Sequence, residues 1–178
     1  SYNNAVGGAA LIYNTTGGWN TANGYNSLVT NTTASGNTGI GAFALRYNTT
    51  GSYNTSIGLK SLQANTTGER NTAFGRSALY TSTTAVCNAA FGMYGLTCTT
   101  TGSRNTALGG RSMLQNTTGE KNTASGTESL YFNTTGAHNT ASGIYALYSN
   151  TTGAYNTAVG NDALKYSTAS YNTATGTY

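Results

Sequence analysis

Of 178 residues, 24 are Gly, 35 Thr and 22 Asn, while only 7% are charged, one is His and none is Pro, at a net charge of +4. So few titratable groups speak against an enzyme, a cofactor or metal site, and a basic stripe that would track nucleic-acid phosphates. No apolar run reaches the roughly 18 residues of a membrane helix and no basic-then-apolar leader opens the chain, so no membrane insertion is expected, and the segment reads as excised from something longer.

Low complexity with fourteen Tyr and no Pro differs from the charged, Pro-rich composition of disorder. The bias is also periodic. Asn recurs every 17 residues from Asn3 through Asn20 and Asn37 to Asn156, and again at Asn172 after one deletion. Numbering that Asn as position 1, the consensus is N-T-A-x-G-x-x-A-L-x-x-N-T-T-G-x-x. A unit this short excludes a helix pair, which needs more than about thirty residues, and a horseshoe repeat, which needs at least about twenty. It fits one coil of an all-β solenoid or β-roll, eleven repeats in a single domain over residues 1–178.

Along the coil, N-T-A predicts a first short strand and A-L-x-x-N-T-T a second, since Thr and aromatics favour strands. Two glycine columns mark the turns between them. Position 5 is Gly in every copy, from Gly7 to Gly176, and position 15 is Gly in most, including Gly17, Gly51 and Gly68; both are attributed to positive φ. Position 3 is Ala apart from Gly39 and Ser56, position 8 alternates Ala and Ser with Gly95 once, and position 9 is Leu except for Met113. Small residues facing Leu fill a narrow interior, each buried Leu contributing about 1.5–3 kcal/mol. Stacking at about 4.8 Å aligns the Asn and Thr columns into hydrogen-bonded ladders.

The motif N-T-A-x-G-x-x-A-L-x-x-N-T-T-G resembles, over the whole chain, repeats of bacteriophage tail fibres and bacterial surface fibres. Its x-A-x-G-x-x-A part is similar to the head repeats of trimeric autotransporter adhesins, left-handed β-rolls whose shorter period prevents direct transfer of geometry. N-x-A-x-G is also similar to the N-x-V-x-G repeat of grass ice-binding β-rolls. The tail-fibre and adhesin resemblance implies an extracellular, cell-surface or virion fibre and a homotrimer.

Columns that vary escape the packing constraint and are the candidates for function. Position 17 carries Trp19, Tyr53, Arg70, Cys87, Arg104, Lys121, His138 and Tyr155, a candidate ligand-contact ladder for sugars or anionic surface polymers, or a solvated edge. Glu69 and Glu120, each preceding a cation, are expected to relieve repulsion along it. Position 4 is strongly apolar in its middle, at Ile40, Ile57, Phe74, Phe91 and Leu108. Pointing outward, this run needs a partner surface; pointing inward, it completes the core. Tyr13, Tyr47, Tyr80, Tyr131, Phe132, Tyr148 and Tyr166 at positions 10 and 11 form another aromatic set suited to a seam between protomers.

Catalytic pairs are not expected: His138 and Cys87 share a column but lie three copies apart, about 14 Å, where a nucleophile and its base need about 3 Å. Cys87 and Cys98 fall in adjacent copies where the pattern degrades at Ser82, Ala85, Ala89 and Thr99. An intrachain disulfide, an interchain one and free thiols all stay open, the two columns lying on different arms. The second Asn column makes N-x-Thr sequons at Asn14, Asn31, Asn48, Asn65, Asn116, Asn133 and Asn150, and Asn54 begins another; glycosylation would need these Asn at the surface, and an internal amide ladder accounts for the same letters. Thr fills position 13 in all ten copies and position 14 in nine, and only one of the two columns can join a given outer face. Thr49, Thr66 and Thr117 at position 13 are taken as outward. The expected role is a self-associating shaft or adhesin, homotrimer or filament, that meets cell-surface glycans; the alternative is an ice-binding β-roll using a flat Thr array.

Overall fold

The computed structural model describes residues 2–177, which contain eleven three-residue strands and no helix. β1 (Asn4–Val6), β2 (Thr21–Asn23), β3 (Thr38–Ile40), β4 (Thr55–Ile57), β5 (Thr72–Phe74), β6 (Ala89–Phe91), β7 (Thr106–Leu108), β8 (Thr123–Ser125), β9 (Thr140–Ser142), β10 (Thr157–Val159) and β11 (Thr173–Thr175) lie in chain order in one parallel sheet. Each residue pairs with the one a period further on, as Thr38 with Thr55 and Ile40 with Ile57. The chain is therefore a parallel β-solenoid of 17-residue coils. At the deletion, Thr157 pairs instead with Thr173. Ser170 Oγ accepts the Ala154 N–H as Ser35 Oγ accepts that of Gly18, so the deletion falls before position 16 and the sheet keeps its register.

The second arm is not a strand. Positions 6 to 11 form an unbroken series of turns, because positions 7 and 9 are left-handed in each coil: Asn26 has φ 54° and Leu28 49°, Lys60 59° and Leu62 45°. A left-handed residue cannot continue an extended chain. The arm still bonds from coil to coil, with Asn26 N–H donating back to Gly8 O and Leu28 N–H donating forward to Ala44 O. Left-handed Leu costs about 1–2 kcal/mol, and this geometry accompanies complete burial of Leu28, Leu45, Leu62, Leu79, Leu96, Leu130 and Leu147. Their transfer from water, about 1.5–3 kcal/mol each, outweighs the strain.

The two glycine columns have different causes. Gly58 at position 5 has φ 132°, and a Cβ there would sit 2.6 Å from Gly75 O, so dihedral and space both require Gly. Position 15 lacks the positive φ expected from sequence; a Cβ on Gly51 would crowd Gly68 O, Asn48 Oδ1 and Asn65 Nδ2, a crowding that the coils of Ala34 and Ala85 accommodate.

The interior divides into an apolar and a polar half. Leu at position 9 packs with Ala73, Ala90, Ala107 and their equivalents at position 3 and with Ala78 and Ala146 at position 8. Where Ser replaces Ala at position 8, its hydroxyl donates to a backbone carbonyl, Ser61, Ser112 and Ser129 to the position-5 carbonyl of their own coil and Ser27 to Gly39 O of the next, so no buried donor is stranded. The polar half holds two Asn ladders. At position 1, Asn54 N–H donates to Asn37 Oδ1 at 2.9 Å and Asn54 Nδ2 to Gly68 O at 2.8 Å, a pattern carried on by Asn71 and Asn88. At position 12, Asn48 Nδ2 donates to Asn31 Oδ1 and Asn65 Nδ2 to Asn48 Oδ1. Ser82 and Thr99 interrupt this second ladder. Asn65 Oδ1, Ser82 Oγ and Thr99 Oγ1 are buried without a partner at the break, and Asn150 Oδ1 is likewise unpartnered where Ser167 ends the column.

Candidate functional site

With the interior consumed by packing and amide ladders, chemistry is left to the columns that face out. Alternation along a three-residue strand sends position 3 inward and positions 2 and 4 outward. Ile40, Phe74, Phe91 and Leu108 are 37–53% exposed and Ile57 is partly so, which settles the direction of the position-4 column. Phe74 and Phe91 stack at 6.4 Å between centroids. The column is an uncharged apolar ridge on the sheet face, edged by the Thr of position 2.

The position-17 column is exposed at each rung and lies in left-handed backbone: Trp19 φ 61°, Tyr53 62°, Arg70 56°, Arg104 61°, Lys121 55°, His138 58° and Tyr155 58°. This shared geometry aims the side chains alike, and neighbouring rings stack on one another. Tyr2 lies 4.6 Å from Trp19, His138 4.7 Å from Tyr155 at 9° between planes, and Tyr155 5.2 Å from Tyr171 at 3°. Both ring faces of Tyr155 and one of His138 are thus covered within the ladder. Gly36 alone leaves a rung of this column without a side chain.

The basic middle of the ladder is also less compensated than the sequence suggests. Among the described residues the ion pairs are Arg111 with Glu128 at 3.2 Å and Lys165 with Asp162 at 2.7 Å, so Glu69 and Glu120 do not pair with Arg70 and Lys121. Arg111 and Glu128 belong to position 7, a column missed in the sequence although opposite charges one period apart were the available signal. The bond to Asp162 raises the pKa of the Lys165 ammonium.

At positions 10 and 11 the aromatics gather into a patch. Tyr131 stacks on Tyr148 at 5.3 Å, Phe132 meets Tyr148 edge-on at 5.1 Å, and the Lys165 ammonium lies 4.6 Å from the Tyr145 ring centre. Burial, then the charge of Glu128, push the Tyr148 phenol up. Arg46 is held between Phe43 at 5.2 Å and Tyr47 at 5.0 Å. An apolar cavity of about 260 Å³ adjoins Leu164, Tyr166 and Ala174 in the last coils.

The two Thr columns separate by role. Position-13 hydroxyls donate to the position-13 carbonyl of the next coil, Thr49 to Thr66 O at 3.0 Å and Thr66 to Thr83 O at 3.1 Å, and these side chains are half-buried. The outward column is position 14, exposed at each rung from Thr16 to Thr152, so Thr50, Thr67 and Thr118 take the place expected of Thr49, Thr66 and Thr117. Asn31, Asn48, Asn65, Asn116, Asn133 and Asn150 are fully buried, as is Asn54, and Asn14 is half-buried. In the folded coil these sequons are an internal ladder. Cys87 is exposed at position 17 and Cys98 half-buried at position 11; both are free thiols, separated in the chain by β6 and its turn.

The chain matches no protein-family model, no curated protein and no solved structure.

Proposed function

We propose that this solenoid is the shaft of an extracellular or virion fibre that self-associates and attaches to surfaces or cells, without catalysis. The observation that carries the reading is the exposed apolar ridge from Ile40 to Leu108, running over five consecutive strands with no charged residue in its column. A ridge of this kind is hidden by association. Copies packed side by side in register would bring matching rungs together, and three around an axis is the stoichiometry implied by the resemblance to trimeric adhesins. The position-17 ladder then stays outside the joint as a repeated contact whose avidity grows with copy number. Replacing Ile57, Phe74 and Phe91 with Ser should shift sedimentation toward monomer. Replacing Trp19, Tyr53, Arg70 and Arg104 with Ser should leave the assembly intact and weaken attachment to cells. A parent chain that sediments as a stable monomer removes the shaft reading.

The exposed position-14 Thr column favours ice binding as the second reading, since it lines up nine hydroxyl- and methyl-bearing side chains one coil apart. That reading predicts thermal hysteresis, lost when Thr50, Thr67 and Thr118 are replaced by Tyr. Hysteresis in a monomer would replace the fibre reading with this one.

A further inference from the structure

The position-17 ladder has one empty rung, and the two rings bordering it differ from the other aromatics of the column. Where adjacent rungs both carry rings, each ring covers its neighbour, as His138, Tyr155 and Tyr171 do. At Gly36 there is no side chain to cover Trp19 from that side, while Tyr2 backs its opposite face. Across the gap, Tyr53 leans over the vacancy: a Cβ on Gly36 would lie 2.9 Å from Tyr53 Cδ1 and 3.1 Å from Cε1. Trp19 and Tyr53 are 69% and 63% exposed. The floor is Gly36 backbone, held by its N–H to Gly18 O, and the serines at the rim, Ser35 and Ser52, each accept a backbone N–H from the preceding coil.

The dimensions suit one inserted ring. Two coils span about 10 Å, and a saturated ring with carbon contacts of about 3.5–4.0 Å on both faces needs roughly 7–8 Å. The lean of Tyr53 toward the Gly36 rung narrows the slot in that direction. A pyranose offers C–H faces to the two aromatics and a rim of hydroxyls to Ser35, Ser52 and water. The glycosidic bonds leave a sandwiched pyranose through its ring edge, so the neighbouring sugars of an extended glycan would run across the column, clear of the other rungs.

We infer that Trp19, Gly36 and Tyr53 form a clamp for a single pyranose unit of a neutral glycan; this rests on the attachment reading above and assigns it a place. Trp19 is the one Trp of the chain, so its fluorescence reports on the clamp alone. The assembled protein is titrated with cello-, chito- and manno-pentaose. A saturable change in Trp emission is expected with at least one of them. Gly36→Tyr should abolish it or weaken affinity by a factor on the order of ten or more. That variant restores the side chain other coils carry at this left-handed position, and an unchanged circular dichroism spectrum and sedimentation coefficient confirm its fold. Unchanged emission with all three sugars, or unaltered affinity in Gly36→Tyr, overturns the clamp. If attachment to cells persists in either case, the clamp alone falls; if the parent chain does not attach, the attachment reading falls with it.

Discussion

At the scale of the residue, two neighbouring substitutions separate backbone strain from steric exclusion. Gly58→Ala places a methyl 2.6 Å from Gly75 O in a backbone at φ 132°, and is expected to destabilise by about 3 kcal/mol or more. Lys60→Gly, two residues on at φ 59°, relieves a left-handed side chain but loosens the unfolded chain, so its effect should stay within about 1 kcal/mol. Urea denaturation of both variants checks the contrast. The broken Asn ladder offers a gain. Ser82→Asn combined with Thr99→Asn would supply a donor to Asn65 Oδ1 and carry the column through to Asn116, removing the unpartnered atoms at the break. Asn31 and Ala34 already coexist in one coil, so Asn at 82 is compatible with Ala85. Each orphan satisfied is worth about 1–3 kcal/mol, and the melting temperature should rise by about 2–4 °C per kcal/mol. At the same break, burial raises the Cys98 thiol pKa. Iodoacetamide at pH 8 should therefore label exposed Cys87 first, as peptide mass spectrometry would show.

At the scale of the element, the unit is the coil and not the strand. Three residues of parallel strand cannot stand alone; each coil closes only because seventeen residues bring position 1 back under itself. Excising residues 122–138, one full period, should leave a folded solenoid one coil shorter, whereas excising eight residues from the same stretch should unfold the neighbouring coils by placing Leu130-type positions outside. Far-ultraviolet circular dichroism and limited proteolysis distinguish the two outcomes. The period, the coil and the interior columns were legible because Ala, Leu and Asn sit where only one size and one hydrogen-bonding pattern fits. The turn arm was not, because nothing in Leu62, Lys60, Phe43 or Leu45 signals left-handed backbone, and closure of the coil imposes it. The outward ladder could be read as a column, but the ring stacking that spends its faces depends on side-chain direction. For the same reason, the choice between Thr positions 13 and 14 needed the structure.

At the scale of the whole molecule, contacts between strands join successive coils, so stability is a sum of coil and nearest-neighbour terms. The coils holding Ser82 and Thr99 carry two of the unpartnered atoms, where the position-12 ladder is broken, and should open before the interior coils in which it is continuous. Hydrogen exchange is expected to be faster around 82–99 than in the unbroken ladders on either side, and Ser82→Asn with Thr99→Asn should erase that minimum. The direction of the hydrogen bonds has a mechanical consequence. Because they link Thr38 to Thr55 and Asn37 to Asn54 along the stack, they lie along the long axis. Tension between the ends then loads them one rung after another, not all together in shear. A coil contributes about 5 Å of length while folded and close to 60 Å when drawn out. The solenoid is accordingly expected to act as a stiff rod under compression and a tether under tension, releasing about 50 Å per step as it is pulled and giving a sawtooth of equal teeth in a force–extension trace.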